Sequence, residues 1–420
     1  VSTSRRSFLR SAAGLALGGL AWRGRAQDLL PRSERRVVVV GGGFGGAITA
    51  KYLRLHDPSV EVVLIERRIS YIACPFTNLV IAGLRDLAEN TVGYDELAAR
   101  HQITVLPAEV TAVDPAANLV VTPRGTINYT RLVLSPGIDF RYDEIDGADP
   151  ARTPEIMPHA WQAGEQTLLL RSQLEAMRNG GTVVMSIPLA PFRCPPGPYE
   201  RISLMAWYLK KAKPKSKIIV LDANPDIAAK ARLFRAAWQA MYKGIVEYRP
   251  SQKVSRVIHE RRAVDTGTET IRGDVVNLIP PQKAAPLAFQ AGVVGDDEKW
   301  CPVNQVTFES RVPAIHVVGD ACMAGAMPKS AFSANSQGKV AALNMLALMA
   351  GREPAAPAHA NVCYSYVNDK EAMSVAGLYR VLGGNTVFVP QAGGLPTSYT
   401  ELEGIQAASW FNNMLREMSS

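Results

Sequence analysis

Residues 37–40 are four valines in a row, a continuous apolar run of the kind that fills a strand buried on both faces. A glycine cluster at 41–46 interrupts the run, and residues 47–55 then follow a helical pattern. A second apolar run at 60–65 ends at Glu66. The rhythm returns downstream. Residues 164–177 read as a helix, 181–185 as a strand, 199–211 as a helix and 217–222 as a strand. Residues 131–137 and 314–320 each read as a strand entering a turn, and 333–349 as another helix. Strands and helices alternating this way predict an α/β fold built on parallel sheets.

The first unit carries chemistry. Gly41 permits a tight turn, Gly43 lets backbone N–H groups approach a pyrophosphate at the helix N-terminus, and Gly46 permits close helix–strand packing. Glu66, at the end of the next strand, is placed to accept bonds from ribose hydroxyls. Strand, glycines, helix, strand and acid in register predict a dinucleotide site. The segments ending in Gly137 and in Gly319-Asp320 resemble the two later fingerprints of the FAD domain in disulfide-reductase-like flavoproteins. That resemblance implies FAD, with Asp320 on the ribityl chain. It also implies two Rossmann-like three-layer nucleotide-binding domains and a small C-terminal α+β domain.

The second unit lacks a phosphate cradle. After the strand at 181–185, residues 186–198 contain no glycine where the turn needs one, and five prolines remove five backbone donors. The segment holds Cys194 instead, so electrons are expected to pass without a nicotinamide nucleotide. Cys194 lies beside Arg193 and just ahead of a helix, a setting that favours a thiolate. Glu200, in the first turn of that helix, is a candidate proton carrier or a simple dipole-favoured acid.

The other cysteines are Cys74, Cys301, Cys322 and Cys363. None opens a C-x-x-C-H haem motif, and none forms a metal-type pair, so no metal is expected. Cys301 and Cys322 read as packing residues, with Cys322 close to the cofactor phosphates, and the sequence leaves the disulfide pairing open. The surroundings of the cysteines are distinctive: Tyr71-Ile72-Ala73-Cys74, Phe192-Arg193-Cys194-Pro195-Pro196-Gly197-Pro198-Tyr199-Glu200, Trp300-Cys301-Pro302-Val303, Gly319-Asp320-Ala321-Cys322 and Asn361-Val362-Cys363-Tyr364-Ser365. With Met327-Pro328-Lys329-Ser330 and the run 333–339, this order resembles the flavoprotein subunit of flavocytochrome c sulfide dehydrogenase over about residues 35–420. The resemblance implies a thioether from Cys74 to FAD, a redox disulfide between Cys194 and Cys363, and a c-type cytochrome subunit as partner. It also implies an inorganic sulfur substrate, oxidised through the disulfide and the flavin. Pro75 and Phe76 depart from the Tyr-Leu that the family tends to carry after the cysteine.

Two other classes stay in view, a sulfide:quinone oxidoreductase and a non-catalytic flavoprotein that assembles an exported redox complex. The first calls for a basic-faced amphipathic helix, whereas residues 401–418 carry Glu401, Glu403 and Glu417 against Arg416. The apolar stripe there, Ala407, Ala408, Phe411, Met414, Leu415 and Met418, is core by spacing, with partner contact as a second reading.

The net charge of +8 suggests nucleic acid until its origin is traced. Arg5, Arg6, Arg10, Arg23 and Arg25 lie in the first 26 residues with no acid; without them 41 basic residues face 38 acidic ones, a net of +3. No nucleic-acid footprint remains. Ser4-Arg5-Arg6-Ser7-Phe8-Leu9-Arg10, an apolar run and Gly24-Arg25-Ala26 resemble a twin-arginine export signal, which implies the periplasm. No later stretch is apolar enough to span a bilayer, and no integral membrane contact is expected. The expected layout is a signal at 1–26, a charged linker at 27–36 and FAD-binding parts at 37–150 and 286–350. The second Rossmann-like domain occupies 151–285 and a C-terminal interface domain 351–420.

Overall fold

The valine run becomes the central strand of a sheet, because a strand covered on both faces needs no polar side. In the computed structural model, which describes residues 27–420, Arg36–Val40 pairs in parallel with Glu61–Glu66 and with Arg131–Leu134. Thr104–Pro107 and Ile315–Val317 complete a five-stranded, wholly parallel sheet. The twin-arginine segment falls outside the described residues. Residues 27–36 are not a free linker: Leu29 N–H donates to the Thr126 carbonyl, and the Arg36 side chain is buried against Asn128 and Pro31.

Helix Phe44–His56 crosses helix Ala331–Met349 beneath this sheet. Glycine sets how close the two approach. A Cβ on Gly338 would stand 2.7 Å from the Gly45 carbonyl oxygen, and one on Gly46 would stand 1.9 Å from that of Gly41. These contacts are to backbone, which cannot swing aside. The third glycine of the expected motif therefore serves packing.

The second unit repeats the plan with a four-stranded parallel sheet in the order Val246–Arg249, Lys217–Asp222, Thr182–Ile187 and Val275–Leu278. Helices Glu165–Ala176, Gly197–Ala212 and Ala231–Met241 belong to it. The chain leaving Thr182–Ile187 does not turn back over its own sheet. Asn224 holds Pro188 and Ala190, Arg193 N–H donates to Gln282, and Cys194 N–H donates to the Lys329 carbonyl at 2.7 Å. This proline-rich loop therefore crosses to the first unit.

The C-terminal part is a three-stranded antiparallel sheet, Ala358–Tyr366, Ala372–Leu382 and Asn385–Gly394, followed by helix Glu401–Ser419. Ala407, Phe411, Met414, Leu415 and Met418 are all buried, and Phe411 stacks on Phe76 at 4.4 Å between ring centres. Each large side chain among them loses roughly 2 kcal/mol on exposure, so this stripe is core and its reading as a partner contact is corrected. Among the described residues no helix is long and apolar enough to cross a membrane.

Gly338→Ala is expected to cost about 1–3 kcal/mol by forcing the two helices apart; urea unfolding with an unchanged slope and a lower midpoint checks it.

Candidate functional site

The carboxyl ends of the first sheet's strands open into a cavity of about 630 Å³, where parallel α/β sheets place their ligands. Gly41, Gly43, Glu66, Cys74, Gly137, Cys194, Glu200, Gly319 and Asp320 all line it. Gly46 and Cys363 do not. Cys322 is also absent from the wall, though its Sγ shares the Gln337 side chain with the wall residue Gly319. It lies buried directly opposite Cys301 in a two-strand parallel ladder.

The wall has the character of a dinucleotide site. A Cβ on Gly43 would meet Tyr71 only at an ordinary 3.5 Å, so it would intrude on the cavity rather than on the protein. The Glu66 carboxylate accepts from Gly42 N–H at 2.8 Å and Arg68 N–H at 3.2 Å, which fixes it at the rim. Asp320 is half-buried, but its Oδ1 is fully shielded and has no hydrogen-bond partner within the protein. Such an acceptor calls for a donor from a ligand. Burial raises the Asp320 carboxyl above its ordinary range, opposed by Arg193 and Lys329. Ser330 caps the helix Ala331–Met349 by accepting from Ser333 N–H, and Ser330, Ala331 and Ala334 lie in the wall. The positive end of a 19-residue helix thus meets the cavity.

A compact polar cluster surrounds Cys194. Glu200, 6% exposed, accepts from Asn78 Nδ2 at 2.7 Å and from Tyr366 N–H at 2.8 Å. Burial still raises its carboxyl above the usual value. Arg201, 1% exposed, donates to Asn78 Oδ1, the His159 carbonyl and Asn277 Oδ1, and lies 4.8 Å over the Trp161 ring. Burial lowers the Arg201 guanidinium to about 9, against the pull of Glu200 and Cys194. Arg193 is held above its ordinary value: burial lowers it, but Cys74, Asp320, Tyr71 and Cys194 together outweigh that.

The sulfurs depart from the sequence expectation in two respects. All five cysteines are free thiols, so the disulfide implied for Cys194 and Cys363 is not formed here. The two nevertheless share one environment. Cys194 is tied by its N–H to Lys329, while Cys363 Sγ donates to Asn361 Oδ1 at 3.5 Å, the same atom that accepts from the Ser330 hydroxyl. They flank Lys329-Ser330 from two sides, and Cys363 is the first charged neighbour to act on Cys194. The thiolate expected at Cys194 is also reversed: burial pushes the thiol well up, Cys363 and Glu200 add to this, and Arg193 and Lys230 only partly oppose it. Burial likewise raises Cys363.

Sequence reading missed Asn78, Arg201, Lys230 and Tyr366. Only Arg201 left a signal, as a charge immediately ahead of the largely apolar stretch 202–209 of its helix. Among the described residues no cluster suited to a metal ion occurs.

Comparison with known proteins agrees with this geometry. Residues 35–168 match the model "Pyridine nucleotide-disulphide oxidoreductase". Residues 167–280 match "Sulfide dehydrogenase [flavocytochrome c] flavoprotein chain, central", and 355–418 match "Flavocytochrome c sulphide dehydrogenase, flavin-binding". The sulfide dehydrogenase [flavocytochrome c] flavoprotein chain of Chlorobaculum thiosulfatiphilum is 63% identical over 46 residues, 11% of this chain and 96% of that sequence. Mitochondrial sulfide:quinone oxidoreductase of Mus musculus is 23% identical over 77% of this chain and 73% of its own. In fold, the chain is similar to the sulfide:quinone oxidoreductase of Aquifex aeolicus, with TM-score 0.74, 18% identity, and 92% and 91% of the two chains covered. The α/β fold with two parallel sheets and a small antiparallel C-terminal part is thus that of disulfide-reductase-like flavoproteins, and the flavin-binding matches support FAD for the cavity. The chain is thus similar to the sulfide-oxidising flavoproteins: its central and C-terminal parts match the models of the flavocytochrome c sulfide dehydrogenase flavoprotein chain, and a sulfide:quinone oxidoreductase resembles it over most of its length.

Proposed function

We propose that this chain is the flavoprotein of a flavocytochrome c pair, which oxidises hydrosulfide through Cys194 and Cys363 and delivers the electrons to a c-type cytochrome. The observation that carries the reading is the placement of the sulfurs. Cys194 lines the cavity that also holds Cys74 and Asp320, while Cys363 is buried off the wall in the same polar cluster.

In the oxidised form, hydrosulfide attacks Cys363 Sγ. A bond forms between the substrate sulfur and Cys363, the Cys363–Cys194 bond breaks, and its electron pair leaves on Cys194. Cys363 then carries a persulfide, and Cys194 is a thiolate at the cavity wall. Over one cycle a hydrosulfide gives up two electrons and one proton, leaves sulfur at oxidation state zero, and the cysteines return to the disulfide. FAD, when bound, supplies an acceptor that takes two electrons and releases them singly.

The protein's own groups do the rest. Asp320 and the Gly41–Gly43 turn would hold the cofactor, Cys74 would tether it through a neutral thioether, and Arg193 balances negative charge at Asp320 and Cys194. Glu200, whose carboxyl burial raises above its usual value, takes the proton and is held for that task by Asn78 and Tyr366. The signal-like segment at 1–26 supports export to the periplasm, where a tethered cofactor is not lost.

The sulfide:quinone oxidoreductase reading has the support of relatives and fold. The acidic balance of the last helix and the burial of its apolar stripe favour the cytochrome.

Four outcomes check the proposal. Cys194→Ser and Cys363→Ser should each abolish flavin bleaching by sulfide in stopped-flow spectra; full retention in either refutes the sulfur pair. Glu200→Gln should lower sulfide turnover about 100-fold while the flavin content stays at the wild-type level. Purified enzyme with sulfide should reduce a c-type cytochrome but not a quinone analogue, and acid should precipitate the yellow colour with wild-type protein but not with Cys74→Ser.

A further inference from the structure

Lys230 is a cation buried at 4% exposure, and the ion pairs formed among the described residues do not include it. Its Nζ donates to the Cys363 carbonyl at 3.0 Å, to Ser365 Oγ at 3.0 Å and to the Met373 carbonyl at 2.8 Å. These acceptors are neutral and occupy all the donors of an ammonium. The residue stands in the left-handed region (φ 60°) just ahead of helix Ala231–Met241, a conformation that a non-glycine side chain adopts rarely. A costly backbone bend and a costly desolvation thus combine to deliver a charge with no fixed counter-ion to the back of Cys363.

We infer that Lys230 is a positioning residue for the sulfur chemistry proposed above: its buried ammonium is the counter-charge for anionic sulfur at Cys363, as thiolate in the dithiol form and as persulfide during turnover. The inference rests on that reading. The charged and titratable groups that face Lys230 are Cys363 and Glu200, then Cys194 and Glu403. They come from the C-terminal strand Ala358–Tyr366, the helix Gly197–Ala212, the crossing loop and the last helix. Burial lowers the ammonium to about 8, and Cys363 is the first group to raise it again. Burial raises the Cys363 thiol, and Lys230 is the first group to lower it. The coupling is reciprocal, as linkage demands.

The test uses the reduced holoprotein under anaerobic conditions and follows the ultraviolet thiolate absorbance that Cys363→Ser removes. Lys230→Met and Lys230→Gln should move the Cys363 midpoint up by about one pH unit or more, and Lys230→Arg should restore it. Gln still donates to the carbonyls, so a merely structural role would leave K230Q like wild type. A wild-type midpoint in folded K230M or K230Q overturns the inference. Should neither fold, the converse titration decides: by ¹⁵N NMR of the lysine side chain, Cys363→Ser should lower the Lys230 midpoint, and an unchanged value overturns the inference. None of these readings needs sulfide. A failure here alongside inactive Cys363→Ser removes Lys230 alone, whereas sulfide turnover by Cys363→Ser removes the chemistry it was to serve.

Discussion

A single backbone hydrogen bond, from Cys194 N–H to the carbonyl of Lys329 at 2.7 Å, ties together parts of the chain that the sheets would otherwise keep apart. Cys194 belongs to the loop leaving the second parallel sheet, and Lys329 precedes the long helix that packs under the first. Residue 330, next along, caps that helix and reaches Asn361, two positions from Cys363. Loop, helix cap and C-terminal strand therefore converge within a few residues of one another. The prolines make this possible. A loop with no glycine and few backbone donors cannot wrap a phosphate, but it can run extended to the neighbouring unit.

Around that junction the protein buries charge to an unusual degree. Arg201, Glu200 and Lys230 are each less than a tenth exposed. An isolated charge in such a place costs several kcal/mol after relaxation, so each must be met by dipoles or opposite charge. Arg201 and Glu200 are met through the shared Asn78 side chain, which donates to the carboxylate and accepts from the guanidinium. The cluster therefore resists rearrangement, which suits a site where sulfur must be presented at a fixed distance from a cofactor. The same low-dielectric setting raises both thiols above their ordinary value, so the reactivity of the pair depends on whichever positive charges stand nearest.

The C-terminal part is drawn into this arrangement from the other side. Phe76, in a left-handed conformation two residues after Cys74, stacks on Phe411 and meets Tyr366 edge-on at 5.5 Å. Tyr366 in turn gives its N–H to Glu200. The residue that departs from the family's usual pattern after the cysteine is thus a packing link between the cavity rim and the last helix.

Much of this was legible in the sequence because local rules govern it. Four valines, a glycine turn and an acid one strand later define a parallel α/β unit at short range, where steric and hydrogen-bonding rules act between near neighbours. The cavity residues from Gly41 to Glu66, with Gly137, Gly319 and Asp320, follow from that register. The state of Cys194 did not. Its neighbours in the chain, an arginine and a helix start, argue for a thiolate, whereas in the fold the desolvation supplied by distant segments dominates. Lys230 and Asn78 are silent in the sequence for the same reason, since their partners lie more than a hundred residues away. Sequence alone determined the units and where each would bind; only tertiary packing decided the charges, because the energy of a charge depends on everything within several ångströms and not on what is adjacent along the chain.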